Sequence, residues 1–447
     1  MREIFFNGNF KMKSYLIFLL FTIPCSIFTL HAQTWSNIGS GLNSSVNALA
    51  IYENNIIAGG FFDSAGGYSA NRIAKWDGTK WDSIKIGVNG KVLALAVIND
   101  TLLYVGGSFN YAFNSGTPLG VNNIAQWSGG LLSAVSRGVE DTVSALCAFN
   151  GNLIIGGTIN NAGGKPVNNV AVFDGANFST LDSGFNNSVK ALLVYNGNLI
   201  AGGTFDSTGN KIAKSIAQLN GTSWSPLGQG MNGPVYALCT YNGYLIAGGS
   251  FDSAGGKPAL NIALWDGASW SPIGSGIGGS CTSLFQYNSS LIAGSSVANY
   301  IGRWNGASWS NLASGLNGQA NCLTIFDGNL IVGGEFSTAG GRPADNIAQW
   351  SGDLGVNDII DTGEIVSVYP NPCAGDFTIQ FNNEKLSVKN TIQIYNMLGD
   401  KIYSKELKST DFKSSVDISN HSSGIYLYRV TSEEGNLVAT GKISIQK

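Results

Sequence analysis

Two histidines occur in the chain, His31 and His421, and neither lies between residues 33 and 352. A serine or cysteine nucleophile needs a neighbouring base, usually imidazole, so Ser-His-Asp and Cys-His chemistry is excluded from that stretch. Imidazole-ligated zinc is excluded with it, and no CxxC or Cys/His spacing offers a thiolate site. Carboxylates remain. Glu335, the adjacent Glu140 and Asp141, and Asp345 do not recur along the chain, so they are the candidate catalytic groups. Two carboxylates flanking one bond would make a glycoside hydrolase. Glu335 and Asp345, with Arg342, Asn110 and Tyr111, are equally candidate contacts for a bound protein or glycan. They fall in or beside segments that vary, 109–119, 209–214 and 342–345, and variable loops carry recognition.

These groups are set in an internal repeat, the first property to establish in a chain of 447 residues. Residues 195–203 read YNGNLIAGG, 241–249 read YNGYLIAGG, and 326–334 read FDGNLIVGG. The first glycine of the motif falls at Gly59, Gly106, Gly156, Gly202, Gly248, Gly294 and Gly333. The spacings are 47, 50, 46, 46, 46 and 39 residues, and Ser295 replaces the second glycine of the sixth copy. That period suits four short strands. Their signals are V-x-A-L-x-x-Y (46–52), L-I-A-G-G-x-F (199–205), N-I-A-x-W (261–265) and W-x-x-L/I-G-x-G (270–276). Asn-Gly or Asp-Gly joins the first strand to the second, as at Asn196-Gly197, and the third to the fourth, as at Asp77-Gly78. Both sets predict two-residue type I′ hairpins, whose central residues need positive φ.

Residues 33–41 read as a fourth strand without its first three, and 322–350 hold three strands without a fourth. Six complete repeats lie between. The expectation is an all-β chain with a seven-bladed β-propeller over 33–352, its ring closed by the N-terminal strand so that no edge is left open. A strand ending in Gly-Gly followed by a W-x-x-L strand resembles the kelch class of propellers. The chain departs from it by inserting F-x-x-A-G-G, as at 251–256, and by lacking the usual tyrosine spacing, so the repeat is kelch-like. Galactose-oxidase propellers resemble this fold and hold copper through histidine, which this region lacks. No cofactor is expected. Structural calcium at Asp/Asn-rich loops such as 251–256 is the one candidate, with turn capping favoured, since no loop has the EF-hand spacing.

Residues that recur serve the scaffold. Asp63, Asp206 and Asp252 each follow the Gly-Gly-x-Phe motif and read as turn caps. Tryptophans such as Trp81, Trp224, Trp270 and Trp309 hold one strand position, which suits packing between repeats better than sugar stacking. Cys147 and Cys239 share a place in V-x-A-L-C and read as buried small hydrophobes. Cys281 and Cys322 lie in successive repeats and are a candidate disulfide pair. With Cys373 the count beyond the leader is odd, so no disulfide scaffold is expected.

Charged residues are 12% of the chain and the formal charge is −3, which leaves no basic face for nucleic acid or anionic lipid. Residues 1–32 read as an export signal: Arg2, Lys11 and Lys13 precede an apolar run over 15–30, and Ala32 suits a cleavage site. Pro24 interrupts that run, which is short for a membrane span. Residues 353–364 hold four acidic residues and no basic ones, and read as a solvated linker.

Residues 365–447 open with Tyr369-Pro370-Asn371-Pro372 and alternate apolar and polar residues thereafter, predicting a small β-sandwich. Asn396-Met397-Leu398-Gly399 and the run Gly424-Ile425-Tyr426 ending at Val430 complete the pattern. This order of motifs resembles the C-terminal sorting domain that Bacteroidetes use for type IX secretion. The resemblance implies contact with the secretion machinery through this domain, and a protein secreted or held at the outer-membrane surface. No transmembrane span is expected in the mature chain. The reading is a binding or adhesion module for a protein or glycan, without catalysis. A glycan hydrolase built on the carboxylates named above is the alternative.

Overall fold

A computed structural model describes residues 34–82, 86–297, 301–351, 366–381, 389–396, 400–408, 413–432 and 437–447. The export signal, the linker and the Met397-Leu398-Gly399 turn fall outside them. Every regular element among the described residues is a strand. Glycines, Asn-Gly turns and β-branched runs leave few stretches long enough for a helix.

Residues 34–351 contain seven four-stranded antiparallel sheets, each strand bonded to the next in sequence. The fifth is typical: Val235–Tyr241, Tyr244–Gly249, Ile262–Trp265 and Trp270–Pro272. The seventh is Gln319–Phe326, Asn329–Glu335 and Ile347–Ser351, and it takes its fourth strand from Thr34–Asn37. There Thr34 pairs with Ser351 and Trp35 with Trp350. The first strand of each sheet lies beside the first strand of the next, and that of the seventh lies beside Val46–Tyr52 of the first.

The expected hairpins form between first and second strands. Asn196 and Gly197 have φ of 47° and 76°, as a type I′ turn requires. Between third and fourth strands the expectation fails. Trp76 pairs with Trp81 across a four-residue loop, and in that loop Gly78 has positive φ while Asp77 does not. Asp77 instead accepts the amides of Thr79 and Lys80, each at 2.8 Å, an Asx turn that competes with the I′ geometry.

Two interactions repeat from sheet to sheet. The first glycine of the Gly-Gly motif leaves room for the next sheet. A Cβ at Gly59, Gly106, Gly156 or Gly202 would stand within 2.6 Å of Cγ1 of Val92, Val143, Val189 or Val235. The second glycine approaches backbone of its own sheet: a Cβ at Gly60 would collide with the Ser45 carbonyl, beside the bulge at Val46 and Ala48. The second link is a tryptophan. The indole N–H of Trp81, Trp224, Trp270, Trp309 and Trp35 donates to the carbonyl of Ile38, Leu181, Leu227, Ile273 and Leu312 at 2.9–3.2 Å. Each donor sits in one fourth strand and each acceptor just after the preceding one. The recurring tryptophans therefore join sheets, and Trp35, Trp81, Trp224 and Trp270 are buried to within 2%.

Cys281 and Cys322 are free thiols, against the candidate pairing. The repeat register separates them. Cys281 takes the valine position and meets Gly248 of the fifth sheet, whereas Cys322 takes the alanine position, 3.8 Å from the Val46 carbonyl of the first. One thiol faces back along the series and the other faces forward.

The tail holds a three-stranded sheet (Val366–Tyr369, Asp376–Phe381, Lys413–Asp417) and a four-stranded one (Lys401–Lys408, Lys389–Tyr395, Gly424–Ser432, Leu437–Ile445). Phe377, Ile379 and Val416 of the first share one core with Ile392, Tyr426, Tyr428 and Ile443 of the second. Tyr369-Pro370 and Asn371-Pro372 are both cis. The Asn371 side-chain carbonyl accepts the Ser444 amide at 2.8 Å, tying the Tyr-Pro-Asn-Pro segment to the last strand.

Candidate functional site

The candidate residues lie at one end of their respective sheets, where first strands begin and second strands finish. Glu335 closes its strand opposite Gln319, and its side chain is exposed. Arg342 lies in a small side hairpin, paired with Ala339, and Asp345 lends its carbonyl to the Leu42 amide at 2.9 Å. Both side chains are exposed. Glu140 pairs with Asn161, and Asp141 accepts from the Thr142 amide at 2.6 Å. The amides of Asn110 and Tyr111 both donate to the Asn89 side chain at 3.0 Å, and Tyr111 is 47% exposed. Among the described residues no hydrogen bond or ion pair joins Glu335, Asp345, Glu140 and Asp141 to one another.

The recurring aspartates are tied down. Asn43 Nδ2 donates to Asp63 at 2.6 Å, and Asn232 does the same for Asp252. Asn186 makes the equivalent bond to Asp206 at 2.5 Å. Each asparagine in turn accepts two amides of the loop that carries its aspartate. Among the described residues no three His, Cys, Asp or Glu side chains gather where a metal ion could sit, the 251–256 loop included.

What those brackets hold is the side hairpin inserted after the double glycine: Ser64–Ala65 with Tyr68–Ser69, Ser253–Ala254 with Lys257–Pro258, and Thr338–Ala339 with Arg342–Pro343. Each covers the fourth-strand aromatic of its own sheet. A Cβ on Gly66, Gly255 or Gly340 would lie within 3.0 Å of Trp81, Trp270 or Trp35. The amide of each of those glycines donates at 2.8 Å to Gly41, Gly230 or Gly315, in the loop that leads into the sheet. Two residues on, the amides of Asn43, Asn232 and Asn317 donate back to the hairpin at 3.2 Å.

The sixth sheet lacks the residues for this hairpin. Its second and third strands are joined by residues 296–300, whereas the fifth sheet uses 250–261. Trp309 is consequently half-buried where its counterparts are covered. Gly278 stands where Asn43 and Asn232 stand elsewhere, the bracket being lost with the hairpin it would hold. A cleft of about 450 Å³ remains. Leu260, Ile277 and Trp309 form its apolar wall, Ser275, Ser310 and Asn311 its polar rim, and Gly276 and Gly278 line it with backbone. Among the described residues no charged side chain lines it. Among the described residues, too, the Gly276 carbonyl and the Gly278 amide make no backbone hydrogen bond, although their counterparts around Leu42, Met231 and Leu316 do. This cleft was not among the sequence candidates; its signal was the 39-residue spacing and Ser295 in the sixth copy.

Residues 367–446 match the family model described as a secretion system C-terminal sorting domain. The C-terminal unit is a secretion sorting domain. It marks the protein as one exported by the type IX route to the cell surface or the extracellular space. Among the described residues no helix is long and apolar enough to cross a membrane. The sorting domain covers only the tail, and no curated protein matches the chain.

Among solved structures, the computationally designed Ika8 protein is 13% identical over 93% of this chain and 100% of its own, with a TM-score of 0.44. PorZ, a surface component of the type IX secretion system of Porphyromonas gingivalis, is 15% identical over 90% of this chain, with a TM-score of 0.41. This chain spans 60% of PorZ. A fungal alcohol oxidase of the AA5 family, in complex with copper, is 12% identical over 90% of this chain and 85% of its own, with a TM-score of 0.39.

Proposed function

We propose that residues 34–351 form a kelch-like seven-bladed β-propeller that acts as a non-catalytic binding module, carried to the cell surface or medium by the sorting domain. What supports the propeller is the cyclic order of neighbouring first strands, together with the pairing of Thr34–Asn37 into the seventh sheet.

The observation that carries the binding role is the cleft over Trp309. A repeat built to cover its tryptophans leaves this one half-buried, beside two backbone groups whose counterparts are bonded. Recognition needs a shaped cleft with a few convergent polar groups. Hydrolysis would need paired carboxylates across a bond, and none borders this cleft.

The test is to present the full chain to a glycan array and a surface proteome, with reducing-sugar release assayed in parallel. Retention of a ligand without release is expected. Release of sugar that disappears in Glu335→Gln overturns the reading in favour of a hydrolase.

A further inference from the structure

The other repeats display what fills the space that the sixth leaves open. In the first, fifth and seventh sheets a glycine of the side hairpin lies flat on the tryptophan, and its amide reaches the carbonyl of the preceding loop. In the same three places the residue after that loop glycine forms an antiparallel bridge to a hairpin alanine: Leu42 with Ala65, Met231 with Ala254, Leu316 with Ala339. Ile277 is the counterpart in the open site. The Gly276 carbonyl and Gly278 amide on either side of it are the acceptor and donor of the missing bridge. A carbonyl and an amide spaced around an extended residue are the groups that recognise a β-strand added from elsewhere. The half-buried indole accepts small residues in contact, and the uncharged rim sets no demand for a charged ligand.

Building on the reading of the chain as a binding module, we infer that the cleft over Trp309 takes a glycine-bearing β-hairpin from a partner protein. The pattern is the chain's own: Ser or Thr, then Ala-Gly-Gly, then Lys257 or Arg342 in the fifth and seventh sheets and Tyr68 in the first. The alanine pairs with Ile277, the first glycine covers Trp309 and donates its amide to the Gly276 carbonyl, and the serine carbonyl accepts from Gly278. The lysine finds an acceptor too, since in the third and fourth sheets a hairpin lysine donates to the carbonyl of the fourth-strand aromatic, Phe178 at 3.0 Å and Trp224 at 2.8 Å. In the sixth sheet that carbonyl belongs to Trp309.

The probe is a fluorescently labelled, cyclised peptide with the sequence of residues 250–260, titrated with the full chain and read by anisotropy. Saturable binding is expected. Gly278→Pro removes the donating amide where a side chain meets nothing within 4 Å, and should weaken binding tenfold or more. Gly120→Ala, outside the cleft and with nothing within 4 Å of the added Cβ, should bind as the parent does. Replacing residues 296–300 by 250–261, which fills the cleft from within, should abolish binding and raise the melting temperature. If the peptide fails to bind the parent, or binds Gly278→Pro and the filled variant equally well, the assignment is overturned. Binding of neutral oligosaccharides alone, lost in the filled variant, would overturn the hairpin and leave the binding module standing.

Discussion

Gly333 and Val46 stand at opposite ends of the repeat region, yet a Cβ on Gly333 would lie 2.6 Å from Val46 Cγ1. The contact repeats those of Gly59 with Val92 and Gly202 with Val235, so the seventh sheet meets the first as each sheet meets its successor. Gly333→Ala should therefore destabilise the protein by about 1–3 kcal/mol, the usual cost of forcing atoms into a filled core. Gly59→Ala should cost a similar amount. Gly120→Ala, where an added Cβ meets nothing within 4 Å, should change little. Urea denaturation of the three variants checks this.

The indole links carry a second expectation. Trp35→Phe removes the indole donor to the buried Leu312 carbonyl, which keeps only the Gly315 amide at 3.0 Å. The expected loss is about 0.5–1.5 kcal/mol, the net worth of one buried hydrogen bond. Trp309→Phe removes the equivalent bond to Ile273, but solvent in the open cleft can replace the lost donor. The Trp309 variant should lose less than the Trp35 variant in the same denaturation experiment.

Asp77 gives a pH signature. The backbone amide of Lys80, helped by the hydroxyl and amide of Thr79, holds its carboxyl down from the ordinary 3.8 to about 2. A lowered carboxyl favours the folded turn above the unfolded value, and that contribution is lost as pH falls through about 2. The Thr79 and Lys80 amide shifts should titrate together with a midpoint near 2 and stay flat from pH 5 upwards. A midpoint near 4 would mean that the Asx turn does not hold in solution.

Burial makes the thiols inert. It pushes Cys147 up to about 11 and Cys239 up to about 12, and raises Cys281 and Cys322 further. At pH 8 the folded protein should react slowly with a thiol reagent at all four, and readily once unfolded. Rapid labelling in the native state would contradict the packing described for Cys281 against Gly248.

Much of the scaffold was legible because its signals are local. Asn196-Gly197 carries its turn type in two residues, and the unmatched strands at 33–41 and 322–350 pointed to the pairing of Trp35 with Trp350. Asp77-Gly78 misled, because its side chain offers the backbone a rival set of hydrogen bonds that the dipeptide does not reveal. The first glycine of each motif was visible, but its reason lies in the next sheet: a valine for Gly59, Gly106, Gly156 and Gly202, Cys281 for Gly248, Ala320 for Gly294 and, for Gly333, Val46 at the far end of the repeats. The open site was visible as a short repeat. That the absent residues were those covering Trp309 required seeing Gly66 on Trp81 and Gly255 on Trp270. Glu335 and Asp345 stand out in sequence because they do not recur, and the structure brings both, with Arg342, to one end of the seventh sheet.

The central claim is that the seven sheets form one closed series, and a cross-link between its two ends tests it most directly. The side-chain oxygens of Thr34 and Ser351 lie 3.4 Å apart across the paired strands. Cysteines at both positions should form a disulfide in the folded full chain, seen by mass spectrometry as a joined pair of peptides from the two ends of the repeat region. The oxidised protein should also melt at a higher temperature than the reduced one. Failure of the two thiols to join in a folded protein would place Thr34–Asn37 away from the seventh sheet and contradict the account.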